Sequence, residues 1–223
     1  MKSLINLSFL SVLFLIFSCN NAPQGEDAQT GEAQTGAKTA NIEGAKAFQL
    51  DTEASKIGWN GTKLIGGGHN GSIDLSSGTI YAREGVIVGG KFSIDMNSIL
   101  DLDLVDLADK AELEEYLKGA DFFNVGAFPT ATFEITETVP ASENKNGRQS
   151  ITGNLTIKGI TQSVTFFAKV SSSENAVFAS TGSFVIDRTK WDIKHRSGTI
   201  GTAQDLIIND LVAIDITLVA KAN

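Results

Sequence analysis

From Phe48 onward the chain alternates apolar with polar residues in short runs cut by turn residues. A period of two buries one face of an extended segment and wets the other, so this stretch can fold only as sheet. The runs fall at residues 57–59, 73–75, 79–81, 86–88, 92–96, 132–135, 151–157, 164–170, 177–186 and 206–219. Gly66-Gly67-Gly68, Arg83-Glu84-Gly85, Asn146-Gly147 and Ser173-Glu174-Asn175 supply the breaks, the last two as hairpin turns. Eight or nine strands joined by short turns predict an all-β domain, either an antiparallel sandwich or a closed barrel. With 22 Gly against 3 Pro, the composition suits tight turns within a sheet.

One segment breaks the period. Leu104, Leu107, Ala108, Ala111, Leu113, Tyr116 and Leu117 recur at helical spacing over residues 104–118, with Asp103 as N-cap and Gly119 as stop. A lone helix between strands either lids one end of a barrel or packs on its outside, and periodicity allows both. Asp101, Asp103 and Asp106 are read as helix-start acids rather than a calcium site, because the spacing lacks the glycine and distal Glu of a calcium loop.

The N-terminus has a different character. A basic Met1-Lys2 start precedes an apolar run from Leu4 to Phe17 that is too short to span a bilayer and reads as a secretory leader. Its end, Ile16-Phe17-Ser18-Cys19, is similar to a bacterial lipobox, and Cys19 is the only Cys in the chain. Residues 1–18 are therefore read as a lipoprotein signal peptide and Cys19 as the lipidated first residue of the mature chain. Acylation would hold it on a membrane without a spanning helix. Asn20 after the Cys points to the outer membrane by the enterobacterial convention, with periplasmic and surface faces both open. Residues 19–47, rich in Gln, Gly, Ala, Thr and Glu, read as a flexible tether, leaving 48–223 as the barrel domain.

Charge and motifs exclude several functions. A net charge of −8 argues against nucleic acid, which needs clustered Lys and Arg. One Cys and two His leave no Cys/His zinc cluster, and no metal, nucleotide or redox cofactor is implied. No nucleophile elbow, zinc-protease motif, phosphate loop or dinucleotide fingerprint is present, so no catalytic residue is assigned. His69 and His195 are read first as loop or hydrogen-bonded histidines. The aromatic residues say more, since Phe92, Phe133, Phe166, Phe178 and Phe184 fall in strand runs while Phe122, Phe123 and Phe128 follow the helix. They either fill an ordinary core or line a barrel, since eight strands leave room for a filled interior or for one small ligand.

Seven segments in order resemble the YceI-like family of secreted, lipocalin-like, polyisoprenoid-binding proteins. They are Trp59-Asn-Gly-Thr-Lys63, Gly67-Gly-His69-Asn-Gly71, Gly89-Gly-Lys-Phe92-Ser-Ile-Asp95-Met-Asn-Ser98-Ile99, Leu117-Lys-Gly-Ala-Asp121-Phe122-Phe123-Asn-Val125, Phe128-Pro129-Thr-Ala-Thr-Phe133, Gly153-Asn-Leu-Thr156-Ile-Lys-Gly159-Ile-Thr161 and Asp187-Arg188-Thr-Lys-Trp191-Asp-Ile193. The first and third variants look like the lipoprotein branch of Bacteroidetes-type bacteria. The resemblance implies a closed antiparallel barrel of about eight strands with an elongated apolar cavity, a helical insertion, often a dimer, and a long isoprenoid or other amphiphilic ligand. Where the family often has His-Leu before Asp-Phe-Phe, this chain has Tyr116-Leu117, so a role held by that His falls to the tyrosine hydroxyl or is lost.

In such a cavity Trp59, Phe92, Phe122, Phe123, Phe133, Phe184 and Trp191 are the candidate wall, and His69, Tyr116 and Arg188 the candidate head-group end. Arg188 could pair bidentately with an anionic head, or equally form a structural ion pair with Asp187 or another acid. Three classes of function follow: an envelope lipoprotein carrying, storing or sensing a lipid; a filled-barrel adhesion or assembly lipoprotein; and an enzyme on an apolar substrate, with His69 and a carboxylate as its only candidate pair.

Overall fold

The computed structural model describes residues 21–34, 42–143, 147–198 and 203–222. The leader and Cys19 lie outside these residues. Eight antiparallel strands close a barrel: β4 (Lys56–Lys63), β5 (Gly68–Arg83), β6 (Val86–Asp101), β7 (Thr130–Val139), β8 (Gln149–Ile157), β9 (Ile160–Ser172), β10 (Ala176–Asp187) and β11 (Ile208–Lys221). Each pairs with the next, and β11 returns to β4, with Ile214 opposite Trp59 and Ile216 opposite Ile57. A short strand, β3 (Lys46–Leu50), extends the ladder beyond the end of β4 by pairing with β5 and β11.

The two longest strands each absorb two of the runs expected from sequence. Ser76-Ser77-Gly78 and Gly89-Gly90 are not breaks, because β5 and β6 run through them with register shifts at 72–74, 75–77 and 81–82. Gly78 is where Phe92 crosses the ladder: a Cβ at Gly78 would stand 2.6 Å from the Phe92 ring. The Glu84-Gly85 turn between these strands has φ of 52° and 83°, the left-handed pair that a two-residue hairpin uses.

The helix, α1 (Leu107–Lys118), starts three residues later than expected. Its cap is Asp106, which accepts from the Ala108 and Asp109 N–H groups; Asp103 is engaged elsewhere. None of its residues is fully buried, yet Leu113, Tyr116 and Leu117 face the barrel interior, so it partly lids one end.

The described part of the expected tether is not loose. β1 (Glu26–Asp27) runs parallel to β10 at Phe184 and Val185, and β2 (Gln29–Glu32) runs antiparallel to β9 at 162–165. β9 and β10 pair with each other only over 169–172 and 177–180, before a bulge at 180–183 lets them part. The N-terminal segment fills that split. The Ala28 N–H donates to the Val185 carbonyl, Arg148 pairs with Glu26 at 2.8 Å, and Gln34 exchanges two hydrogen bonds with the Asn154 side chain. Backbone pairing of this kind needs no apolar side chains, so a low-complexity composition does not reveal it.

Candidate functional site: an apolar lumen with a polar mouth

Inward-facing side chains of all eight strands surround a cavity of about 630 Å³. That volume lies within the range of small-molecule sites. The barrel is hollow, and its wall is aliphatic and aromatic. Phe133, Phe166 and Phe184 form a ring train, with centroids 5.6 and 4.9 Å apart and the second pair stacked nearly parallel. Glycines opposite the rings make the space: a Cβ at Gly153 would lie 2.3 Å from Phe133, and one at Gly71 would lie 2.5 Å from Trp59. Trp191 is fully buried and donates from Nε1 to the Leu155 carbonyl at 3.0 Å.

All ten residues singled out from sequence line this one cavity: Trp59, Phe92, Phe122, Phe123, Phe133, Phe184 and Trp191 along the wall, and His69, Tyr116 and Arg188 among its polar lining. The charged lining residues, with Thr62 and Tyr116, come from the end built by the β4–β5 turn, α1 and residues 188–208. That end is the mouth.

Arg188 is held by the protein itself. Its guanidinium donates to the carbonyls of Asn209 (3.0 Å), Ile193 (2.6 Å) and Ile208 (2.9 Å) and lies 3.4 Å from Asp210. Asp187, the acid expected beside it, instead caps the following turn through the Thr189 N–H and hydroxyl. Burial lowers the Arg188 pKa, against the opposing pull of Asp210, but a guanidinium remains charged in any case. Its main work is to tie the end of β10 to Ile193 and to the start of β11, and it lies 5.7 Å over the Phe122 ring.

Around Tyr116 the sequence reading missed two partners. The His195 ring meets Tyr116 edge-on at 5.5 Å and Phe122 at 6.0 Å, and Arg196 lies 5.8 Å over the Tyr116 ring. Neither residue sits on a strand or helix pattern, and only their closeness to the Arg188-Trp191 segment could have drawn attention to them. The Tyr116 hydroxyl is buried without a hydrogen-bond partner, and desolvation raises its pKa. Trp59 Nε1 is in the same condition.

His69 stands at the rim. Its Nδ1 lies 3.2 Å from Asp103 Oδ2 and 3.9 Å from Asp101 Oδ2. Asp101 is fully buried; its Oδ1 accepts from the Asp103 and Leu104 N–H groups, while Oδ2 has no hydrogen-bond partner. Burial acts to raise the Asp103 pKa, but the hydrogen bond from the Asn70 N–H and the contact with His69 act against it, and the pKa is lowered overall. These three side chains offer ligand atoms within 4.8 Å of one another and could hold a cation. Of the three acids read as helix-start residues, only Asp106 caps the helix.

A closed antiparallel barrel around an apolar cavity, with its polar groups gathered at one mouth, defines a lipocalin-like protein. Residues 48–220 match the YceI-like domain, and the chain belongs to that family. A UPF0312 protein of Yersinia pestis (strain Pestoides F) is 40% identical over 81 residues, 36% of this chain and 39% of that protein. A UPF0312 protein of Pseudomonas paraeruginosa is 45% identical over 65 residues, 29% of this chain and 32% of that one. The matched stretches thus span less than two fifths of those relatives' lengths. Among solved structures, BcnA of Burkholderia cenocepacia is similar with a TM-score of 0.61 at 24% identity, over 77% of this chain and 99% of BcnA. A polyisoprenoid binding domain from Saccharophagus degradans, implicated in plant cell wall breakdown, aligns with a TM-score of 0.58 at 14% identity, over 79% of this chain and 98% of that one. Both share its fold.

Proposed function

We propose that this chain is an envelope lipoprotein that encloses a long apolar or amphiphilic molecule, isoprenoid or fatty-acid-like, in its lumen. The observation that carries the reading is the 630 Å³ apolar cavity with unpartnered polar atoms at its mouth. Removing an alkyl chain from water contributes about 0.8 kcal/mol per CH₂, so on the order of ten methylenes would contribute about 8 kcal/mol before ordering costs. The Tyr116 hydroxyl and Trp59 Nε1 would then meet a polar head, since each is a buried donor lacking a partner. The polyisoprenoid-binding domain of S. degradans, which has the same fold, supports this ligand class. The apolar leader ending in Ser18-Cys19 supports export and lipidation, and Asn20 supports the outer membrane.

Native mass spectrometry of the full chain from its own host, followed by organic extraction, tests the reading. A stoichiometric long-chain lipid released only on denaturation is the expected result. A ligand-free mass, combined with no saturable uptake of added prenyl alcohol or fatty acid, would overturn it.

A further inference from the structure

We infer that the mouth of the barrel lies against the same bilayer that carries the chain's lipid anchor, seated there by exposed apolar side chains on its rim. The inference rests on the lipoprotein reading of Cys19 and adds an orientation to it.

The first observation is where the described chain begins. The Asn21 carbonyl accepts from Thr62 Oγ1 at 2.6 Å and from Asn209 Nδ2 at 3.1 Å, and its side-chain amide donates to the Lys63 and Gly66 carbonyls. Asn21 is therefore fastened to the β4–β5 turn at the mouth. Cys19 is two residues away, which at full extension is about 7 Å of chain. Acyl groups on Cys19 thus start beside the mouth, where a free tether spanning residues 19–47 would have let the barrel stand off in any orientation.

The second observation is independent of the anchor. Large apolar side chains with little cover gather on the loops of this end: Val105 is 94% exposed, Leu107 80%, Ile65 58%, Leu206 46% and Leu64 43%. They come from the β4–β5 turn, the β6–α1 link together with the first residue of α1, and the turn before β11. At the far end the β5–β6 and β9–β10 hairpins turn through Glu84-Gly85 and Glu174-Asn175, and the large apolar side chains exposed near them are Phe178 at 45% and Ile42 at 39%. A clustered apolar rim on one face marks an interaction surface. Charge does not suggest an anionic partner, because Lys63, Lys194 and Arg196 share this end with Asp103, Asp106 and Asp109. Shallow apolar insertion into a bilayer fits both the rim and the anchor, and it would join the lumen to the lipid phase without an aqueous gap.

The test uses the full chain as its host lipidates it, reconstituted into neutral phosphatidylcholine vesicles containing nitroxide-labelled lipid. One variant carries a fluorophore through Val105→Cys, a second through Glu174→Cys at the far end; acylation keeps Cys19 from the label. The expected result is loss of the Val105 label's fluorescence with retention of the Glu174 label's, and loss of that difference in an Ile65→Asp/Leu107→Asp background that still floats with the vesicles. Flotation with both labels equally bright, or with the Val105 label shielded from water but not quenched as a protein partner would leave it, overturns the docking and leaves the anchor standing. Failure to float overturns both.

Discussion

The two ends of the barrel treat buried polar groups in opposite ways. At the far end the buried polar side chains among the described residues are matched: Gln149 bridges both the N–H and the carbonyl of Ile87, and Ser55 both donates to the Val219 carbonyl and accepts from its N–H. Among the described residues, the buried side-chain atoms without a partner are Trp59 Nε1, Asp101 Oδ2, Tyr116 Oη and His195 Nε2, all in the mouth half. Unmatched buried groups cost stability, and a fold that satisfies one end fully is able to satisfy the other. On the proposed reading, the polar atoms left over at the mouth are the ones a ligand's head would meet.

The comparison can be broken most sharply at Arg188, a mouth residue that is not left over. Arg188→Ala leaves three carbonyls and Asp210 without their shared donor. It should lower unfolding stability by about 3–5 kcal/mol, the cost of breaking a buried charge network. Denaturant melts will read that loss, and affinities for neutral and anionic lipids should fall together; selective loss of the anionic one would return Arg188 to the head-group role. Gln149→Leu probes the far end. It strands the Ile87 N–H and carbonyl and should cost about 1–3 kcal/mol in the same melts, with lipid affinity of the folded protein unchanged.

Tyr116→Phe should do the reverse. It removes a hydroxyl that no described residue hydrogen-bonds, so the melting temperature should hold, while affinity for a prenyl alcohol or fatty acid drops about tenfold, or about 1.4 kcal/mol. Because burial raises the Tyr116 pKa, the hydroxyl stays a donor well into alkaline pH, and its contribution to affinity should not titrate between pH 6 and about 9. The smallest effect belongs to Lys221 and Asp51, 2.6 Å apart on the surface of the far end. Hydrogen bonding to Lys221 lowers the Asp51 pKa, and the same pair raises that of Lys221. Its stabilisation is full above the ordinary aspartate value near 4 and disappears as pH falls through the lowered one. It disappears again only as pH rises through the raised lysine value. Lys221→Ala should therefore lower the urea midpoint slightly at neutral pH, by a difference that vanishes as pH falls through the lowered Asp51 value.

The wall residues and three residues of the mouth, His69, Tyr116 and Arg188, were legible in the sequence; what holds the mouth together was not. Strand patterning placed Phe92, Phe133 and Phe184 in extended runs, and the family resemblance then suggested that they line a cavity; patterning alone gave no inner face, as Phe178 from the same set is 45% exposed. The sequence reading split β5 and β6 into shorter runs because the apolar pattern lapses at 76–78 and 89–91, yet both strands continue there, and at Gly78 the missing side chain makes room for the Phe92 ring. Arg188 was found but its partners were not, because Asn209, Ile208 and Asp210 reach it from about twenty residues away. His195 and Arg196 lie on an irregular segment whose side-chain directions no period describes. The strands at 26–32 were hidden for a different reason: they hold by backbone pairing to β9 and β10, which composition does not encode.

The central claim is that the lumen holds an apolar chain. Titrating the full chain with a long-chain prenyl alcohol, followed through the fluorescence of its two lumen-lining tryptophans, Trp59 and Trp191, tests it most directly. Saturable one-to-one binding is predicted, abolished by Ala131→Phe, which places a ring in the cavity, with the variant still folded. Binding that survives the filled lumen, or an unresponsive wild-type chain, would contradict the account.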